Sequence, residues 1–296
     1  FSIQVNDQWM EIGRDSFFST NEIYATLWNT RELEDGEYTL GLFAGDETKK
    51  EPLHQVKVEV GNRLGIGSGT FVDSRDSSTY KWVKIGKQVW MAENLKYLPK
   101  VNSEFAWWML DEKPVYIVKN YKGTSVTEAK STNNYNTYGV LYSRTAALNA
   151  CPKGWHLPTN EEWLELINYN LQLGPFVHNY QDDSYHEWFE IGRFLKAKGT
   201  KQDGDGLWKS KIVSNAGVDL YGFSALPGAW FNSGGFYAQP GTFGSWWCSA
   251  KNEEVWQIVL HASNTKLSFQ TTRPWLALSI RCVKDEEPFK YQTSKK

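Results

Sequence analysis

The sequence predicts an α+β protein: a small all-β unit followed by a larger domain with short strands, two main helices and long loops. Three observations predict it. Residues 38–44 and 55–60 each alternate along the strand with period two, the mark of half-buried antiparallel strands. Two helical patterns fall between about 159 and 198, the first opened by a cap and both closed by glycine. From about 208 to 284 short strand signals return, punctuated by Gly222, Gly228, Gly234, Gly235, Gly241 and Gly244. Helices and strands thus segregate along the chain, which is α+β rather than α/β.

The elements follow in order. Tyr38, Leu40, Leu42 and Ala44 alternate with Thr39, Gly41 and Phe43, after turn chemistry at Glu34-Asp35-Gly36. Val56, Val58 and Val60 alternate with Gln55, Lys57 and Glu59. No helical pattern of ten or more residues occurs in this region. Residues 1–61 therefore read as a β module, one sheet packed on another. Residues 62–69 carry Gly65, Gly67 and Gly69 and read as a linker. The domain proper runs over 70–285, and 286–296 is a tail. Tyr80–Ile85 and Gln88–Met91 are strand signals with Gly86-Lys87 as a hairpin turn. Ser143–Ala150 predicts a short helix. Thr159 with Glu162 three residues on is a capping box, and Trp163, Leu166, Ile167 and Leu171 then share one face, with Gly174 as the stop. A second helix is expected over Tyr185–Lys198, from Trp188, Ile191 and Leu195, with Gly199 at its end. Val255–Leu260 and Ala277–Val283 are the clearest late strands.

Composition excludes several classes. The 296 residues include 15 Trp, 15 Tyr and 15 Phe, and 22% are charged. A disordered chain is poor in aromatics, and a coiled coil is rich in Ala, Glu, Lys and Leu. No apolar run reaches the ~18 residues of a membrane helix. Lys plus Arg is 32 against 34 Asp plus Glu, so the basic excess of a nucleic-acid binder is missing. Cys151, Cys248 and Cys282 form no Cys-x-x-Cys motif, which excludes a zinc ribbon or a thioredoxin-type site. Their odd number allows one disulfide and one free thiol. The chain opens at Phe1 rather than Met, and a processed product is expected, with any signal or lipid-anchor segment already removed.

Two stretches carry family resemblances. Leu27-Trp28-Asn29-Thr30, then Leu33-Glu34-Asp35-Gly36-Glu37-Tyr38-Thr39-Leu40 resembles bacterial immunoglobulin-like repeats over about residues 1–61. That length is short of the ~100 residues of a complete sandwich, so the first strands are expected upstream of Phe1. Such modules are mostly spacers. Farther on, Gly69-Thr70-Phe71-Val72-Asp73-Ser74-Arg75-Asp76 leads to Val83-Lys84-Ile85-Gly86-Lys87-Gln88-Val89-Trp90-Met91-Ala92-Glu93-Asn94-Leu95. Tyr138-Gly139-x-Leu141-Tyr142 follows, then Ala150-Cys151-Pro152-Lys153-Gly154-Trp155-His156-Leu157-Pro158-Thr159. Tyr221-Gly222-Phe223-Ser224-Ala225-Leu226-Pro227-Gly228 and Arg281-Cys282-Val283-Lys284-Asp285 complete the order. Together these blocks resemble the Fibrobacter succinogenes major paralogous domain over about residues 66–285.

The second resemblance implies a C-type-lectin-like fold, related to the formylglycine-generating enzyme domain. It also implies an exported or surface protein of Bacteroidetes-type bacteria, often a lipoprotein. It implies no activity, and fold analogy is a weak warrant for one. It places Cys151 and Cys282 where such folds carry a disulfide between the first helix and the last strand. Two buried free thiols are the alternative. Closing that loop stabilises by about 4–5 kcal/mol on entropic grounds. The chain departs from the family in three places. It has no second cysteine pair before Tyr138-Gly139. It reads Trp246-Trp247-Cys248-Ser249-Ala250 where the family has Trp-Trp-Ser-Ala-Thr. It carries apparent insertions at about 101–135, with Phe105, Trp107 and Trp108, and at about 172–187. Insertions on a rigid scaffold are where binding specificity resides.

Formylglycine chemistry needs two cysteines close together, and Cys248 stands far from Cys282 in sequence, so no catalytic residue is expected. His54, His156, His178, His186 and His261 show no paired spacing. Gln239-Pro240-Gly241 lacks the carboxylate of a calcium-lectin triplet, and Asp182-Asp183 and Asp203-Gly204-Asp205 read as solvated loops. No metal and no cofactor is expected. Trp82, Trp90, Trp155, Trp163 and Trp188 fit core patterns. Trp208, Trp230, Trp246, Trp247, Trp256 and Trp275 fall in the late strands and loops, the ligand-facing region of lectin-like folds. Indole rings stack on the C–H faces of sugars and also anchor protein contacts. The expected binding face is Trp230, Phe231, Phe236, Tyr237, Trp246, Trp247 and Trp275. The expected function is non-catalytic ligand binding or adhesion at a bacterial surface or in secreted form. Its partner is a glycan or a surface protein, with no nucleic acid, no membrane span, and a lipid anchor only through a removed N-terminal segment. A structural or tip subunit of a surface assembly is the second reading, and a formylglycine-generating enzyme relative the third.

Overall fold

A computed structural model describes residues 2–5, 8–12, 36–43, 52–60, 66–103, 110, 113–171, 179–181, 185–210, 215–232, 241–249 and 255–286. The chain divides into two compact units, Phe1–Ile66 and Gly67–Lys296. The expected turn at 34–35, the motif at 27–33, the rings at 105–108, the Gly174 stop, His178 and the Asp182-Asp183 and Gln239-Pro240 pairs lie outside the described residues.

The first unit contains β1 (Ser2–Val5), β2 (Gln8–Glu11), β3 (Gly36–Leu42) and β4 (His54–Val60), in the antiparallel order β2-β1-β3-β4. Leu40 opposes Val56 and Tyr38 opposes Val58, as the period-two pattern requires. Ile3 pairs with both Met10 and Leu40, so Met10, Ile3, Leu40 and Val56 form one row across four strands. Ile3 is buried at the middle of the row, whereas Met10 and Val56 at its ends are 55% and 50% exposed. The described strands form a single sheet, not the expected pair of packed sheets.

The second unit opens with β5 (Ile66–Val72), β6 (Thr79–Ile85) and β7 (Gln88–Met91). Residues 66–69, expected as linker, are thus strand. Gly69 there serves packing: a Cβ on it would lie 2.6 Å from the Trp82 ring. The β6–β7 turn is at Gly86, with φ of +61°. Then come β8 (Tyr116–Ile117), α1 (Val126–Lys130), α2 (Asn133–Tyr138), β9 (Leu141–Ser143), α3 (Arg144–Ala147), β10 (Trp155–His156) and α4 (Asn160–Leu171). The capping box of α4 is reciprocal: Glu162 N–H donates to Thr159 Oγ1 at 3.2 Å, and Thr159 N–H donates to Glu162 Oε2 at 2.7 Å.

The second helix is shorter than its apolar spacing predicts. Tyr185–Trp188 is β12, following β11 (Asn179–Gln181), and only Ile191–Leu195 is helical, as α5. Glu190 between them takes φ of +66°, which interrupts a continuous helix. Strands β13 (Phe231–Asn232), β14 (Phe243–Cys248), β15 (Trp256–His261), β16 (Leu267–Thr271), β17 (Leu276–Leu278) and β18 (Val283–Lys284) complete the chain. They build three sheets with the earlier strands, in the orders β10-β18-β7-β6-β5, β11-β12-β16-β15-β14 and β13-β17-β9-β8. The result is mostly β-sheet with a few short helices. A disulfide joins Cys151 to Cys282 across 131 positions. Cys282 belongs to the main core cluster, with Tyr80, Met91, Tyr142, Trp247 and Ile280.

Candidate functional site

Neighbouring residues of a strand point to opposite faces, so Trp246 and Trp247 are both buried only because β14 is covered on both sides. Each is 1% exposed. Trp246 Nε1 donates to Asn94 Oδ1 at 2.9 Å, and Trp247 Nε1 donates to the Tyr142 carbonyl at 2.6 Å. Phe231 is fully buried, as is Trp208, and Trp256 is 6% exposed. Phe231, Trp246 and Trp247 therefore offer no ring to a ligand, contrary to the expectation that they form a binding face. A fold of several small sheets with short helices uses these large rings to fill its interior.

Trp230 and Trp275 remain partly open, and they diverge. In the sheet β13-β17-β9-β8, Phe231 opposes Ala277 and Asn232 opposes Leu276. Leu276, Leu278, Tyr142 and Trp230 pack on one face into the main core. Phe231, Ala277, Leu141, Ile117 and Trp275 pack on the other into a smaller cluster. The two indoles thus belong to opposite faces and make no common platform. Arg273 lies over the Trp275 ring at 5.3 Å. Phe236 and Tyr237 lie outside the described residues.

The family-like sequence blocks converge instead on a buried polar network. Arg281, fully buried, donates to the carbonyls of Phe223, Met91 and Ser224 and to Asn94 Oδ1 at 3.0 Å, and its guanidinium lies 4.5 Å over the Phe223 ring. Burial pushes its pKa down, opposed by Asp219 and Glu93, but a guanidinium stays charged at any working pH. Asp219 holds Ser224 in a left-handed conformation, accepting from its N–H at 2.7 Å and its hydroxyl at 2.6 Å. That strain aims two carbonyls at Arg281. Asn94 Nδ2 donates to the Tyr138 carbonyl at 3.0 Å.

Two lysines are also buried. Lys196 donates to the carbonyls of Asn264 at 2.5 Å and Asn215 at 3.2 Å, beside the Trp208 ring. Burial brings its pKa down to about 8, with Glu190 opposing. Lys119 is 3% exposed and far less well satisfied: the Gly228 carbonyl is 3.4 Å away and the Tyr138 ring 4.9 Å. Burial, followed by the charges of Lys201 and Lys209, brings its pKa down to about 8. None of these cations was singled out from sequence, because nothing local marks a lysine as buried.

His156, Cys248, Asp203 and Asp205 are engaged by the fold. His156 Nε2 is 2.6 Å from Glu162 Oε1 and its Nδ1 is 2.7 Å from Asp285 Oδ1. Both bonds together need both ring N–H groups, which is the imidazolium. Burial lowers the His156 pKa, but the bonds to Asp285 and Glu162 outweigh it and the net shift is upward. Cys248 is the free thiol. Burial, reinforced by Glu162 and Glu161, pushes its pKa up, the opposite of nucleophile activation. Asp203 and Asp205 accept from the Thr200 hydroxyl and N–H. Among the described residues no group of three or more His, Cys, Asp or Glu is placed to hold a metal ion, and no helix is long and apolar enough to cross a membrane.

Comparison with curated proteins and with solved structures returns no match. The family model described as the Fibrobacter succinogenes major domain matches residues 83–284, which is more than half of the chain. It spans the second half of the β6–β7 hairpin, the capped helix, the disulfide and the Arg281–Asn94 network. The chain therefore belongs to the Fibrobacter succinogenes major domain family.

Proposed function

We propose that this chain is a non-catalytic ligand-binding or adhesion protein of the bacterial cell surface or secreted space, with a C-type-lectin-like domain carried behind an immunoglobulin-like spacer. The observation that carries the reading is the Trp230 indole. It stays partly open at the edge of the main core, while Trp208, Phe231, Trp246, Trp247 and Trp256 are buried. Aromatic rings left partly exposed on a rigid scaffold suit glycan stacking or a protein anchor. The Cys151–Cys282 bridge supports an oxidising, extracytoplasmic setting. The buried, pKa-raised Cys248 argues against thiol chemistry of the formylglycine type. Glycan-array binding of the full chain tests the reading. Wild-type protein should retain glycans that Trp230→Ala, assayed at a temperature where it is fully folded, releases; equal retention by both proteins removes Trp230 from the site.

A second reading, a subunit of a surface assembly, is favoured by the first unit. Met10, Leu53 and Val56 are 50% exposed or more, and Met10 and Val56 sit in the same apolar row as Ile3. Exposed apolar rows mark protein contacts. Substituting Val56→Lys should leave glycan retention intact and abolish any self-association seen by sedimentation.

A further inference from the structure

The apparent insertion at about 172–187 runs into β12, and the two faces of that strand differ. His186 and Trp188 stack with Trp256 and Phe269 on one face, where the three larger rings are buried. Tyr185 and Glu187 lie on the other, as alternation requires, and Phe189 follows them. Register adds three side chains to this second face. Glu187 opposes Ser268, Tyr185 opposes Gln270, and Gln270 opposes Gln257. The groups hold one another in place. The Tyr185 hydroxyl donates to Glu187 Oε1, Lys266 Nζ donates to Glu187 Oε2 at 2.6 Å, and the Lys266 ammonium lies 4.5 Å over the Phe189 ring. That ring is still 36% exposed, and no other described aromatic ring is as open. Tyr185, Glu187, Lys266, Ser268 and Gln270 are half-buried, so the face is polar, ordered and open to solvent.

We propose that Tyr185, Glu187, Phe189, Lys266 and Gln270 form a binding face for a neutral saccharide. The inference rests on the ligand-binding reading above, takes it to a second place on the molecule and does not use Trp230. A sugar ring has an apolar C–H side that stacks on an aromatic ring, and a rim of hydroxyls that both donate and accept. Phe189 supplies the ring. A carboxylate accepts about four hydrogen bonds and an ammonium donates about three, so Glu187 and Lys266 keep capacity beyond their mutual contact. Their charges cancel. An acidic sugar would meet Glu187 and a cationic sugar would meet Lys266, each without a spare counter-charge in the cluster, and a neutral ligand avoids both penalties. Gln257 gives an independent sign of a missing donor. It is 9% exposed, and its Oε1 accepts no hydrogen bond. A buried acceptor left unsatisfied is costly, and beside Gln270 a ligand hydroxyl is the kind of donor that would satisfy it.

The test puts the full chain on an array of neutral and acidic glycans. The wild type is expected to retain neutral glycans, and Phe189→Ala, assayed while fully folded, to lose about tenfold in affinity for them. Glu187→Gln leaves Lys266 without its counter-charge, so retention should move from neutral toward acidic glycans. Retention of no glycan, retention of acidic glycans alone, or undiminished retention of neutral glycans by folded Phe189→Ala overturns the proposal. An unchanged preference in Glu187→Gln overturns it as well. Should Phe189→Ala fail to fold, acetylation of Lys266 in the wild type decides, read by peptide mass spectrometry. Slower acetylation in the presence of the retained glycan supports the face, and an unchanged rate overturns it. Loss of neutral glycans in Trp230→Ala beside undiminished retention in Phe189→Ala would overturn this face while leaving the broader binding reading in place.

Discussion

Trp246 uses its indole N–H on Asn94, and Asn94 in turn accepts from Arg281. Replacing Trp246 with Ala removes a ring that is 1% exposed and leaves Asn94 with one donor fewer. A large buried aromatic lost to Ala costs about 3–5 kcal/mol, so urea denaturation of Trp246→Ala should show a loss of that size. Any fall in ligand binding should track the unfolded fraction, and a binding defect in fully folded variant would restore Trp246 to the ligand face. His156 gives a second residue-level prediction. Its pKa is raised in the fold, above the ~6.5 of an unfolded histidine. The stabilisation is complete below that unfolded value and fades as pH rises through the folded one. Thermal midpoints from pH 5.5 to 9 should fall in the wild type relative to His156→Gln, and parallel curves would dismiss the ion-paired imidazolium. That histidine was read from sequence only as a poor metal ligand. Its partner Asp285 lies 129 positions away, beyond any local pattern.

At the scale of elements, signals complete within a few residues were legible and signals needing a distant partner were not. Thr159 and Glu162 carry the whole capping box between them, and α4 begins at Asn160 as that box requires. Gly86 marks its turn for the same reason. Trp188, Ile191 and Leu195 have helical spacing, yet Tyr185–Trp188 pairs with Leu267–Gln270. A strand partner some eighty residues on overrides a local helical period. The burial of both Trp246 and Trp247 also needed knowledge of what covers each side of β14. One glycine shows how tightly these elements are seated. A Cβ on Gly192, in α5, would stand 2.2 Å from the Lys266 carbonyl oxygen. Since the obstacle is backbone, Gly192→Ala should cost about 1–3 kcal/mol or more, read as a lowered denaturation midpoint. A neutral result would mean that α5 and the β15–β16 turn shift apart freely.

Across the whole molecule, the family-like blocks were legible in order but not in purpose. Asn94, Phe223, Ser224 and Arg281 come from three separate stretches and meet around one buried guanidinium. Part of the family pattern therefore builds an interior polar network, and Phe231, Trp246 and Trp247 of the expected binding face are spent on the core around it. The disulfide pairing rested on family resemblance, and the structure contains it. Reducing it removes a crosslink over 131 positions and should lower the unfolding free energy by about 2–5 kcal/mol, measured by denaturation with and without reductant. A loss under about 1 kcal/mol would show that packing around Cys282 already restrains the unfolded chain.

The same bridge sets what a protease can do to this protein. Nearly every late loop, from the turn after β10 to the one before β18, lies between Cys151 and Cys282. A single cut in any of them yields two polypeptides that remain one covalent particle. Its mass under oxidising conditions is that of the intact chain plus one water, and it separates into fragments only when thiol is added. Clipping within that span would then register as altered loops on a persistent body rather than as its disappearance.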